Sequence, residues 1–305
     1  MEDQKLNHFE IDRTIKRLQD ELKQTQQGVV LAESLDRLKD IAKVYAGEDK
    51  IISFEEIIER IKNQKDELRI NTGWSGLDKI ICGFRPQQLV VVSALTKSGK
   101  TSFLMDLTCR LREHEPLWFP FEESAEELIR KYLERGQEPP HGYTPDNLKG
   151  NATQWIEDRI IESIAKYNTR IVFIDQLDFI IPMNGDNHAL RVGQVMRELK
   201  QIAKRWNIII FLICHLVKVK MDTQPTLEDL KGSSSIGQEA DTVILLWRES
   251  KRQNGEIMIT NNVNVSVQAN RRTGKTGNIK MIYEDGKFLE QEWKQDDGQK
   301  FYESF

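Results

Sequence analysis

Gly99-Lys100-Thr101 stands between a β-branched apolar run, Val90-Val91-Val92, and a helix-like segment, Phe103-Leu104-Met105-Asp106-Leu107. Strand, short loop and helix in that order, with Gly-Lys-Thr closing the loop, is the arrangement of a phosphate-binding P-loop. Ala94, Thr96, Lys97, Ser98, Gly99, Lys100, Thr101 and Ser102 form the candidate cradle. Backbone N–H groups of such a loop point at phosphate oxygens, and the following helix turns its positive end toward the same anion. Lys100 would neutralise charge on the β- and γ-phosphates, and the Thr101 hydroxyl would ligate Mg²⁺. Ala94 stands where the first glycine of G-x-x-x-x-G-K-[ST] is usual. Alanine is the next smallest residue, so the turn is tightened rather than abolished.

Acidic residues at the ends of apolar runs would make this cradle a hydrolase. Asp175 follows Ile171-Val172-Phe173-Ile174 and fits the carboxylate that holds the Mg²⁺ shell. Glu122 ends the run Leu117 to Phe121 and would orient or deprotonate an attacking water, with Glu123 beside it as the competing choice. His215 ends Phe211-Leu212-Ile213-Cys214, a third strand end from which a side chain could sense the γ-phosphate. Further on, Lys218 and Lys220 alternate along a loop, and Lys231-Gly232-Ser233-Ser234 adds an ammonium group, hydroxyls and unencumbered N–H groups. Those groups suit a sugar-phosphate backbone without reading bases. Arg271-Arg272-Thr273-Gly274-Lys275-Thr276-Gly277 is a basic turn between two strands. One of its arginines, presented to another subunit, would stabilise charge at that neighbour's γ-phosphate. Gly274-Lys275-Thr276 repeats a P-loop ending, but no helix follows it.

The elements that must carry these groups alternate. Strand-like runs at 90–94, 117–121, 170–175 and 207–214 are interleaved with helical stretches at 125–133, 153–166 and 189–205. This predicts an α/β fold with a doubly wound, mostly parallel sheet and ligands at the carboxyl ends of the strands. From Asp241 the runs 242–247, 258–268 and 280–283 are joined by glycine-containing turns and predict antiparallel edge strands. Asn71 to Asp78 and Gly83-Phe84-Arg85-Pro86 read as turns leading into the P-loop strand, and 136–151, with Pro139 and Pro140, reads as a loop.

The first part of the chain is different. Ile11, Ile15, Leu18 and Leu22, then Leu31, Leu35, Leu38 and Ala42, recur at helical spacing. Such a pair must pack on itself, on the main domain or on another subunit. Ser53 with Glu56 forms a capping box for a third helix, whose stripe is Ile57, Ile58 and Ile61. The expected division is a helical region over 1–50, a linker helix over 51–69 and an NTPase domain over 70–305.

Composition limits the partners. With 305 residues and a net charge of −4, no global basic field is present, so contacts with nucleic acid must be local. Cys82, Cys109 and Cys214 lack C-x-x-C spacing, which argues against a zinc ribbon and for a reducing compartment. No apolar run approaches the roughly 18 residues of a membrane span, and the first residues are not those of a signal peptide. A soluble, intracellular protein is expected.

With these residues in place, the chain from 70 to about 290 resembles the RecA-like motor domain of DnaB-like replicative DNA helicases, including the phage-type and Twinkle-like members. The resemblance rests on Asn71-Thr72-Gly73 with Leu77, the Gly83 to Pro86 turn, the P-loop, and Glu122 followed by Ser124 to Leu128. It also rests on Asp175, on Cys214-His215-Leu216, and on Asp229 to Ile236 leading to Glu239-Ala240-Asp241. The resemblance implies a homo-hexameric ring that encircles single-stranded DNA and hydrolyses ATP or another NTP with Mg²⁺ at subunit boundaries. It implies His215 as the γ-phosphate sensor, Arg248 and Tyr283 as residues sandwiching the nucleotide base, and Arg271 or Arg272 as an arginine finger. Family members often carry lysine two residues before that finger; Ala269 or Asn270 stands there in this chain. A compact chain of this type implies a separate primase and a separate helicase loader, and a bacterial or phage-infected host cytoplasm. Two other readings share the core: a RecA- or RadA-like recombinase or annealing ATPase forming open filaments, and a non-motor loader or scaffold that only binds nucleotide.

Overall fold

The computed structural model describes residues 37–38, 40–41, 53–63, 68–95, 98–150, 153–182, 187–216, 224–230, 233–253 and 256–291. The stripe Ile11 to Leu22, residues Leu31, Leu35 and Ala42, and Thr96, Lys97, Lys218, Lys220, Lys231 and Gly232 lie outside these. The helices are α1 (Phe54–Asn63), α2 (Ser75–Ile81), α3 (Lys100–Arg110), α4 (Ala125–Glu134), α5 (Thr153–Tyr167), α6 (His188–Arg205) and α7 (Ser233–Glu239). The strands are β1 (Gln88–Ala94), β2 (Leu117–Pro120), β3 (Ile171–Asp175), β4 (Ile209–His215), β5 (Thr242–Gln253), β6 (Glu256–Asn270), β7 (Gly277–Glu284) and β8 (Lys287–Glu290).

All eight strands form one sheet in the order β2-β3-β4-β1-β5-β6-β7-β8. Pairings from β2 to β5 are parallel, and β5-β6, β6-β7 and β7-β8 are antiparallel. The predicted α/β class with antiparallel edge strands is therefore observed. The parallel strands are uninterrupted apolar runs because helices cover both of their faces. Leu89 and Val91 of β1, with Ile210 and Leu212 of β4, face α5 and α6. Val90 and Val92, with Phe211 and Ile213, face α2, α3 and α4. On that second face Phe211 stacks on Phe173 and meets Phe84 edge-on, both at ring distances near 5 Å. Each such fully buried ring contributes about 1.5–3 kcal/mol.

Two elements differ from the sequence expectation. The stretch 71–78 contains more than turns, because α2 starts at Ser75. The Asp78 carboxylate of α2 accepts from the N–H groups of Thr72 and Gly73 just ahead of the helix, and the Gly76 N–H in its first turn donates to Glu290, far away in sequence. Strand β8 was not foreseen. It is four residues long, and its Phe288 is fixed by Asp106 and Trp74, far away in sequence.

The capping box that starts α1 is formed as expected, with Glu56 N–H donating to Ser53 Oγ (3.2 Å) and Ser53 N–H to Glu56 (3.3 Å). Its apolar residues Phe54, Ile57, Ile58 and Ile61 are exposed, and no residue of α1 is buried. Leu38 and Ile41, by contrast, are buried in the core cluster that contains α5, and Arg37 Nε donates to Ala165 O. That part of the N-terminal region packs on the main domain. Among the described residues no helix is long and apolar enough to cross a membrane.

Candidate nucleotide site

β1, β2, β3 and β4 end together, so the register of the sheet sets the site. Ala94 is the last residue of β1 and pairs with His215, the last of β4; Pro120 of β2 pairs with Asp175 of β3. The chain leaves β1 through Leu95, whose carbonyl accepts from Ser98 N–H (3.1 Å), and enters α3 at Gly99, whose φ of 92° is in the left-handed region that glycine tolerates. Lys100 is buried and its Nζ donates to the Ala94 carbonyl at 3.3 Å. Thr101 Oγ1 donates to Asp175 Oδ2 at 2.7 Å. The Glu122 N–H donates to the Asp175 carbonyl at 3.0 Å, which ties the end of β2 to the end of β3.

Glu122 and Glu123, equivalent by composition, are separated by this geometry. Glu123 forms an ion pair with Lys131 of α4. The Glu122 side chain is exposed and close enough to Lys100 and Asp175 for its charge to act on both. Burial lowers the Lys100 ammonium from its ordinary range, while Asp175 and Glu122 pull it back up. A buried cation facing two carboxylates is poised for the oxygens of a polyphosphate.

Asp175 is only 2% exposed, and its Oδ1 has no hydrogen-bond partner. Burial raises its carboxyl to about 6, helped by Glu122 and Glu123 and opposed by the Thr101 hydrogen bond and Lys100. An orphaned carboxylate oxygen beside a threonine hydroxyl is a hard-oxygen donor set that fits a divalent cation. The same shift sets a pH dependence. Folded Asp175 keeps its proton up to about 6 whereas the ordinary value is 3.8, so its contribution to stability falls as pH rises between the two. Above that window the cost approaches roughly 3 kcal/mol. Asp175→Asn is therefore expected to stabilise the nucleotide-free protein by up to that amount at pH 8 and to have little effect near pH 4. Urea melts at the two pH values check this, and a variant less stable than wild type at pH 8 contradicts it.

Arg248 and Tyr283 are brought together: the guanidinium lies 5.7 Å from the ring centroid. Arg248 is two residues beyond Leu246, the partner of Ala94, so the pair sits at the P-loop end of the sheet. It is braced through the core. Tyr283 packs on Phe288 (4.9 Å), Phe288 on Phe103 of α3 (5.3 Å), and Phe103 on Trp74 (5.0 Å). Asp106 of α3 accepts from the Phe288 N–H at 2.7 Å, and Arg110 lies over Trp74 at 4.4 Å. Asp106 and Phe288 escaped the sequence reading. An acidic residue inside the otherwise apolar Phe103 to Leu107 was the available signal for the first. Arg135 also escaped it; its Nη2 donates to Ser102 Oγ at 3.0 Å and joins α4 to the first turn of α3.

Arg271 and Arg272 are not at this site. Asn270 pairs with Thr242, which pairs with Val90, so the basic turn lies at the opposite end of the sheet from Ala94. At about 3.3 Å per residue the separation along the strand is roughly 13 Å before the loops are added. Arg272 Nη2 donates to the carbonyls of Ile81 (2.9 Å), Cys82 (2.9 Å) and Gly83 (3.1 Å), and Arg271 donates to that of Gln238. Ser233 and Ser234 open α7 rather than continuing a loop.

The description "DnaB-like helicase C terminal domain" matches residues 69–141 and 143–289. The replicative DNA helicase DnaC of Bacillus subtilis is 26% identical over 288 residues, covering 82% of this chain and 63% of that protein. The replicative DNA helicase DnaB of Rickettsia conorii is 26% identical over 232 residues, covering 62% of this chain and 47% of that protein. The chain thus spans between about half and just under two thirds of these relatives. Among solved structures, one described as an ATPase domain superposes with a TM-score of 0.67 at 20% identity, over 80% of this chain and 100% of that one. A DnaB-like replicative helicase studied for its interactions with primase gives 0.66 at 18% identity, over 93% of this chain and 76% of that one. Both likenesses establish the fold. With the family description spanning most of the sheet and the P-loop, Glu122, Asp175 and His215 at adjoining strand ends, the chain belongs to the DnaB-like helicase C-terminal domain family.

Proposed function

We propose that this chain is the motor of a replicative DNA helicase, hydrolysing ATP with Mg²⁺ to move along single-stranded DNA and separate the duplex. The observation that carries the reading is the convergence of Lys100, Thr101, Asp175 and Glu122 at neighbouring strand ends. Thr101 and Asp175 would hold the Mg²⁺, which supplies charge neutralisation to the β- and γ-phosphates when bound. Lys100 binds the same phosphates, His215 beside Ala94 reports on the γ-phosphate, and Glu122 holds the attacking water. Arg248 and Tyr283 form the platform for the base.

The working unit is a homo-hexameric ring. A basic turn at one end of the sheet and a P-loop at the other meet only in a head-to-tail contact between copies, the type of contact that closes into rings or continues as filaments. The exposed stripe of α1 docks on the adjacent subunit in this arrangement, with 1–50, 51–69 and 70–305 as helical region, linker helix and motor. Lys218, Lys220, Lys231 and the segment Gly232 to Ser234 contact the DNA backbone. Primase and loader are separate proteins, and the setting is the cytoplasm.

Mixing Lys100→Ala subunits with Arg271→Ala or Arg272→Ala subunits tests the boundary site. Some hydrolysis is expected to return, because a mixed interface can join an intact P-loop to an intact finger. If neither arginine affects turnover and no mixture is active, the boundary site is wrong. Electron microscopy with nucleotide and single-stranded DNA separates rings from the filaments of a recombinase.

A further inference from the structure

A guanidinium reaches the P-loop helix from within the same chain. Helix α4 runs antiparallel along α3: the Tyr132 hydroxyl donates to the Met105 carbonyl at 3.1 Å, and one turn further along α4 Arg135 Nη2 donates to Ser102 Oγ at 3.0 Å, one turn nearer the start of α3. The C-terminal end of α4, where unpaired helix carbonyls leave partial negative charge, is thus turned toward a site for anions, and Arg135 is its C-cap residue. The other arm of the fork, Nη1, lies 3.4 Å from the Met105 sulfur, and neither of these acceptors carries a charge. The stem is clamped from the opposite side. Gly286 of the β7–β8 turn, at φ +79°, comes so near that a Cβ there would lie 2.7 Å from Arg135 Cδ, and Gln137 Nε2 donates to the Asp285 carbonyl at 3.1 Å. That turn follows Tyr283 and Glu284 at the end of β7. At the cradle, a Cβ on Gly99 would meet the Phe288 ring at 3.7 Å and Ser102 Cβ at 4.0 Å. Arg135 therefore stands between the phosphate cradle and the Arg248–Tyr283 pair.

We infer that Arg135 is a nucleotide-binding residue that takes the α-phosphate of the nucleotide held by its own chain. A nucleotide whose terminal phosphates lie on Lys100 and whose base lies on Tyr283 has its α-phosphate and ribose in between. Of those two, the phosphate is the anion that a guanidinium fork binds bidentately. Ser102 Oγ accepts from Arg135 and keeps its own proton to donate to the same phosphate. The packed stem fixes the fork before the ligand arrives, so less side-chain freedom is lost on binding. This rests on the P-loop reading proposed above and deepens it. The α-phosphate is common to ADP and ATP, so Arg135 holds the nucleotide before and after hydrolysis, while Lys100 and Glu122 act on the terminal phosphates.

The test is equilibrium binding of fluorescent ADP and of a fluorescent, non-hydrolysable ATP analogue to the full chain carrying Arg135→Met, which keeps an apolar stem and removes the fork. Both affinities are expected to fall by the same factor, on the order of 10-fold, at an unchanged melting temperature of the nucleotide-free protein. Arg135→Lys is expected to restore part of the loss for both nucleotides. Should Arg135→Met unfold or melt early, Arg135→Lys carries the test, with a smaller loss that is again equal for the two. Unchanged affinities in the variant that carries the test overturn the inference and leave Arg135 as a clip between α4 and α3. A loss confined to the ATP analogue overturns it in favour of a terminal phosphate, and a loss that vanishes with 2′,3′-dideoxy nucleotides overturns it in favour of the ribose. Lys100→Ala is measured in parallel. If it keeps wild-type affinity for both nucleotides, the P-loop reading itself falls; if it loses affinity and Arg135→Met does not, only the role of Arg135 falls.

Discussion

Lys100→Ala is expected to lower DNA-stimulated ATP turnover by on the order of 10²–10³-fold and to abolish unwinding, the scale seen when one preorganised donor is removed from a site of developing negative charge. The reason is positional. Lys100 is the first residue of α3, buried, with its Nζ held at the end of β1 by the Ala94 carbonyl and facing Asp175 and Glu122. No other described lysine occupies that position, and the N–H groups of the loop cannot replace a full charge. The substitution also removes the cation that lowers the Asp175 proton affinity, so the carboxyl, already at about 6, moves further up. Cation uptake at neutral pH weakens as a second consequence, because a neutral carboxyl is a poor ligand. Steady-state hydrolysis with and without single-stranded DNA measures the effect. Undiminished stimulated turnover in the variant would remove the P-loop from the mechanism.

What was legible in the sequence was local. The P-loop, Asp175 and the capping box of α1 are each defined by a few consecutive residues whose chemistry does not depend on the rest of the chain. The alternation of apolar strands with helices gave the parallel part of the sheet, and strand runs joined by glycine-containing turns gave its antiparallel edge, for the same reason. Elements whose stability comes from distant residues were not legible. Helix α2 starts in a glycine-containing stretch and is held by Glu290; β8 is too short to announce itself and is pinned by Asp106 and Trp74. The site was partly legible: its strand ends could be named and Glu122 preferred to Glu123, and the fold adds the ion pair between Glu123 and Lys131.

That choice leads to the second large effect. Glu122→Gln is expected to reduce hydrolysis by on the order of 10²–10⁴-fold, the range for removing a general base, while nucleotide binding is retained. The Glu122 backbone N–H remains bonded to the Asp175 carbonyl whatever its side chain, so the change leaves the end of β2 in place and removes only the group that accepts a proton. Glu123→Gln weakens the pair with Lys131, whose two side chains are 15% and 37% exposed. Its effect belongs to the stability of α4 and not to turnover. Single-turnover hydrolysis beside equilibrium binding of a fluorescent ATP analogue separates the two variants. A Glu122→Gln protein that turns over normally beside an inactive Glu123→Gln protein would reverse the assignment. It would also mean that α4 gives up Lys131 when nucleotide binds, since Glu123 reaches the attacking water only by leaving that partner.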